Sequence, residues 1–219
     1  MYRPRTALGA KILGVSAETQ PQWAAAGLGA LAVMPAPTLG ANPPTALRPF
    51  RGPEDTLRAM ADAALGPRGE KSMLVRGFSE FLLRDVAPKD YLGELIAIRN
   101  ALVMQSPWRP GSPLFRYAND PRHVEMVKDP QRQVEEIQAH GSTVVDCDDE
   151  ACMAACLCMV IGREVELVAV GFSPGELSHV AVRAKEPKTG QWLWMDGVAG
   201  PREREAARRA TEVLVWSLD

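Results

Sequence analysis

The chain has 219 residues, 46% of them hydrophobic and 24% charged, and a formal net charge of −2. This describes a globular protein with enough chain for one core plus an appendage. The charge excludes a global field that would gather nucleic acid or anionic lipid, and no basic stripe with interleaved aromatics replaces one.

Residues 1–53 are rich in Ala, Gly and Pro, with few charges after Glu18. Their apolar run from Ala24 to Pro37 is broken by Gly27, Gly29 and Pro35 and is too short to span a membrane. Arg3, Arg5 and Lys11 give a leader peptide as the lesser alternative, but Glu18, Gln20 and Gln22 separate them from the run. Pro35, Pro37, Pro43, Pro44, Pro49 and Pro53 forbid long helices. The expectation is an extended arm over 1–53, held by a partner or by the surface of a domain over 54–219.

A helix is expected from Pro53 to Leu65, closed by Gly66-Pro67. Ser72 to Asp85 reads as an amphipathic helix, with Met73, Val75, Phe78, Phe81 and Leu82 at helical spacing. Pro88 is expected to open a third helix running to Met104. Residues 106–121 read as a Pro/Gly-rich loop, and Pro130 to Ala139 as a short helix. Cys147 to Ile161 is apolar all round after its first turn, which marks a buried helix. Three β-like runs follow, over 164–171, 178–185 and 191–196, with Lys188-Thr189-Gly190 as a hairpin turn. A polar helix over 202–210 and a strand over 212–218 close the chain. Helices, a central helix and then an antiparallel sheet make an α+β domain.

The four cysteines, Cys147, Cys152, Cys156 and Cys158, fall within twelve residues of one another. A secreted disulfide framework would spread them, so reduced thiols in a cytoplasm-like compartment are expected at synthesis. No zinc site is expected. At about 100° per residue, Cys147 and Cys158 lie on one side of the helix and Cys152 and Cys156 on the other, which cannot enclose one ion tetrahedrally. The last three read as small core residues, and His123 and His140 as surface residues.

Asp146 is a good N-cap, which places Cys147 at the tip of the buried helix. Free N–H groups and the helix dipole there favour a thiolate, the reactive form. The neighbouring carboxylates of Asp148, Asp149 and Glu150 oppose it, so a nearby imidazolium is needed. His179, in the alternating run Ser178-His179-Val180-Ala181-Val182, is the natural source. If the next strand pairs back through the turn at 186–190, Asp196 comes to lie beside His179, where it can fix the ring's tautomer.

Val144-Val145-Asp146-Cys147-Asp148-Asp149, then Ser178-His179-Val180, then Trp192 to Asp196, resemble in that order the transglutaminase-like cysteine peptidase superfamily. Upstream, Arg116-Tyr117-Ala118-Asn119-Asp120 and Lys128-Asp129-Pro130 resemble that family's approach to its cysteine. The resemblance implies a papain-like core with Cys147 as nucleophile, His179 as general base and Asp196 as orienting acid. Trp108, Tyr117 and Asn119 are candidates for the side-chain part of an oxyanion hole, beside the backbone N–H of Cys147. No cofactor or metal is implied.

There are two departures. Val145 stands where the family usually has Gly, adding bulk beside the nucleophile, and Gly197 stands where Pro is common. Two functions follow from the resemblance. One is hydrolysis of peptide or amide bonds, with a peptide or peptidoglycan-like substrate. The other is a structural part of a phage-like virion, in which the arm clamps neighbouring subunits. Similar proteins, with a divergent domain of this type and a Pro/Ala-rich arm, are encoded by tailed phages.

Overall fold

The computed structural model describes residues 52–120, 126–173, 177–197 and 209–218. The expected arm, residues 202–208 of the expected polar helix and His123 lie outside the described residues. The elements, in chain order, are helices α1 (Pro53–Leu65), α2 (Met73–Leu83) and α3 (Tyr91–Val103), strand β1 (Phe115–Tyr117), helix α4 (Pro130–His140), strand β2 (Thr143–Val145), helix α5 (Cys147–Met159), and strands β3 (Val165–Gly171), β4 (His179–Lys185), β5 (Trp192–Met195) and β6 (Glu212–Ser217). The fold is α+β, as the sequence leads one to expect.

Helix α5 is the hub. Asp148 to Cys158 are all buried, and α5 packs on β3 and β4 as well as on α1, α2, α3 and α4. Its sequence explains how so many neighbours are accommodated. Ala151, Cys152, Ala154, Ala155, Cys156 and Cys158 are small, so other backbones approach closely, while Met153 and Leu157 fill the remaining volume. The thiols of Cys152 and Cys156 rest against the carbonyl oxygens of Met60 and Ala64, at 3.6 and 3.3 Å.

The sheet is antiparallel with strand order β5-β4-β3-β6. In its register Leu167 lies opposite Val182 and Ala169 opposite Val180, and all four belong to the buried core shared with α5. Burying such side chains contributes roughly 1.5–3 kcal/mol each for the larger ones. The turn between β4 and β5 is held by Glu186, whose carboxylate accepts from the Lys188 and Thr189 amides at 3.0 and 2.7 Å.

Two sequence expectations need correction. The third helix does not begin at Pro88. Ala87 to Asp90 form a turn closed by Asp90 N–H to Ala87 O at 3.1 Å, with Lys89 at φ 66. Pro at the second position and a left-handed third residue make this a type II turn, incompatible with helix. The helix starts after Asp90, whose side chain accepts from Gly93 N–H at 3.0 Å. The second correction concerns the loop expected over 106–121. It contains β1, which pairs in parallel with β2, Tyr117 opposite Val145.

Capping sets the entry angle of α2. Ser72 Oγ accepts from Leu74 N–H and Val75 N–H and donates to Gln131 of α4 at 3.0 Å. Ser72→Ala is expected to cost about 1 kcal/mol in urea unfolding. An unchanged midpoint would show that water replaces the cap.

Candidate functional site

The site forms where α5 begins. Asp146 caps the helix, accepting from Asp149 N–H at 3.3 Å, and Cys147 is the first helical residue, half-buried at the core's edge. Two neighbours hold this first turn. Lys128 N–H donates to Asp149 Oδ1 at 2.6 Å, and the fully buried Gln133 of α4 donates to Asp149 O at 2.8 Å.

Antiparallel pairing brings in the other two candidates. Val182 lies opposite Met195, so Asp196, one residue past β5, reaches the region where β4 begins with His179. His179 Nε2 and Asp196 Oδ2 are 2.7 Å apart, with only 5% of the Asp196 side chain exposed. Cys147 also bears on the charge of the His179 ring. Burial works against a charged ring, but the hydrogen bond to Asp196 and the influence of Cys147, reinforced by their charges, push His179 up to about 10. The ring therefore keeps its proton through neutral pH and supplies the cation that a thiolate at Cys147 needs.

The oxyanion candidates divide. Pairing of β1 with β2 sets Tyr117 two residues from Cys147, and burial together with the negative charges of Cys147, Asp146, Asp148 and Glu150 raises its phenol. Tyr117 Oη donates to Asn119 Oδ1 at 2.9 Å. Trp108 lies elsewhere, its ring 5.2 Å from that of Phe81 and its Cβ against Gly141, beyond the opposite end of β2. Gly141 has φ 74 and ends α4, and the nearby Trp108 atoms leave little room for a side chain there.

Val145 does not crowd Cys147. It is 1% exposed and belongs to the core, while its carbonyl accepts from Ala118 N–H at 2.9 Å. The bulk that seemed a liability is packing that fixes the strand ahead of Cys147. The acidic neighbours are also tamer than their number implies. Burial, then a hydrogen bond and like charge from Asp146, hold Asp148 well above the usual carboxylate range. Burial and the Asp146 charge push Asp149 up to about 8, against the Lys128 N–H and charge. A neutral carboxyl next to Cys147 does not repel a thiolate.

Carboxylate oxygens of Asp146, Asp148 and Asp149 lie within 4.8 Å of one another, a spacing that could hold a cation. Asp146 and Asp149 are, however, engaged by the Asp149 and Lys128 amides, and a proton on Asp148 satisfies its contact with Asp146. One contact escaped the sequence reading. Glu150 reaches across to accept the Gly197 N–H, a pairing of residues 47 apart that no local pattern records.

No protein-family model matches the chain, and no curated protein matches it. Among solved structures it is similar to the crystal structure of a "putative protease" from Parabacteroides distasonis, with a TM-score of 0.51 and 14% sequence identity. That likeness covers 74% of this chain and 29% of the other, so the chain spans less than a third of its structural neighbour. At this identity the likeness is one of fold: helices and an antiparallel sheet around a buried helix. Among the described residues no helix is long and apolar enough to cross a membrane.

Proposed function

We propose that the chain is a cysteine-nucleophile hydrolase of peptide or amide bonds, of the transglutaminase-like kind, with Cys147, His179 and Asp196 as its triad. The observation that carries this reading is the His179–Asp196 pair, 2.7 Å apart and largely buried, in a protein whose half-buried Cys147 opens α5 and bears on the ring's charge. Fold likeness to a protein described as a protease supports the same class.

Cys147 Sγ attacks the acyl carbon, and the carbonyl π electrons move onto oxygen. That oxyanion sits at the helix tip, where the Cys147 N–H is one donor; Tyr117 would join it only by releasing Asn119, to which its hydroxyl donates. As the C–N bond breaks, His179 gives its proton to the departing amine, leaving a thioester. Water then attacks the thioester while His179 takes its proton, and the acid leaves with Cys147 restored. Asp196 orients the ring. Peptides are the substrate class, with peptidoglycan stem peptides first among them.

A second reading, a structural component of a phage-like particle, rests on the Pro-rich sequence of residues 1–53. The two are compatible, since a particle component can cut cell wall.

Thiol labelling tests the triad without a known substrate. At about pH 6, iodoacetamide is expected to modify Cys147 at least about tenfold faster than a free cysteine peptide. Cys152, Cys156 and Cys158 should stay unlabelled, because all three are 0% exposed and burial raises their thiols. Labelling of Cys147 no faster than the free peptide would count against the proposal.

A further inference from the structure

We propose that Glu150 is a positioning residue that fixes Asp196 against His179 by gripping the backbone of Gly197. The inference rests on the reading of Cys147, His179 and Asp196 as the triad. Glu150 lies three residues after Cys147, in the first turn of α5, and is 5% exposed. Its Oε1 accepts the N–H of Gly197, the residue that follows Asp196. Both carboxylate oxygens stand 2.9 Å from where a Cβ on residue 197 would be, and Leu102 Cβ is equally close. Only glycine lets a buried carboxylate lie flat against the chain at this point.

The geometry has a specific consequence. Strand β5 ends at Met195, so Asp196 lies beyond its last ladder pair. With the ladder ended, the carboxylate's position depends on what else holds residues 196 and 197, and a small displacement separates a strong hydrogen bond from a weak one. Glu150 anchors this end to the same helix turn that carries Cys147. One side chain therefore couples the nucleophile's helix to the acid's strand, and His179 is clasped between them. Glu150 touches no reacting atom in this arrangement; it acts through Asp196.

The test uses the full chain with Glu150→Ala, Glu150→Asp and Glu150→Gln. NMR of the His179 ring reads the grip directly, and the pH profile of Cys147 alkylation reads its effect on the thiol. Gln keeps an acceptor oxygen at the same reach, so its His179 titration should match the wild type. Ala removes the acceptor, and Asp keeps the charge but withdraws the oxygen by one methylene. Both should lower the His179 midpoint by about one pH unit, which leaves the ring charged at about pH 6, and should move the alkaline inflection of the Cys147 alkylation profile down by the same amount. If the Ala variant fails to fold, the Asp variant carries the test. A wild-type His179 titration in the Asp variant would overturn the proposal, as would a Gln variant as perturbed as Asp. The triad reading fails separately: wild-type Cys147 would then alkylate no faster than a free thiol, while the His179 titration would still report on the grip.

Discussion

Cys147→Ala is expected to lower peptide or amide hydrolysis by at least about a thousandfold while leaving the fold intact. The loss is that large because the thioester cannot form without the sulfur, and His179 and the helix-tip amides retain only a weak hold on the transition state. The fold should survive because Cys147 is half-buried at the helix tip, the Asp146 cap does not depend on it, and alanine is a strong helix former. Peptidoglycan stem peptides and a fluorogenic peptide set are the substrates to assay, with circular dichroism and a melting curve on both proteins. Turnover undiminished in the variant would remove Cys147 as nucleophile. A wild type that turns over nothing and a thiol that does not label at acidic pH would together favour the structural reading.

Asp148→Asn is expected to stabilise the protein by a few kcal/mol at neutral pH. Asp148 is 2% exposed, and burial with the Asp146 contact holds it protonated well above the ordinary carboxylate range. A raised native value means that the folded state binds a proton the unfolded chain releases. The stability due to that proton is complete below about pH 4, where both states hold it, and is lost as pH rises. Asp149, pushed up to about 8, adds a loss of the same sign between about pH 4 and 8. Asparagine needs no proton. Its amide can donate to Asp146 as the protonated carboxyl does, and its oxygen can take the place of Oδ2, which has no hydrogen-bond partner among the described residues. Urea unfolding at about pH 5 and pH 8 checks both parts: the wild type should lose stability with rising pH, and the variant should lose less. A variant less stable than wild type at about pH 8 would mean that the carboxylate is needed in its charged form.

Much of this domain could be read from the sequence because its signals are local. The all-apolar run after Asp146 gave the buried helix, and the alternation around Val180 and Val182 gave a strand that meets it. The order of His179 and Asp196 with a hairpin between them was enough to expect the two side by side, and they lie 2.7 Å apart. What escaped was non-local. Strand β1 is three residues long and pairs with a strand some 28 positions later, so no periodicity marks it. The turn at Pro88-Lys89 was mistaken for a helix start because proline favours both. Val145 looked like an obstacle because its neighbours in space were unknown; Gly197 looked like a simple departure because the carboxylate that needs it comes from another element.

The strand order of the site has a consequence for how the protein is made. The ribosome completes Cys147 well before His179 and Asp196, and β4 and β5 cannot pair until both have emerged. Until then, on the proposed reading, the thiol lacks both partners of its triad. On that reading, reactivity therefore waits for completion of the sheet.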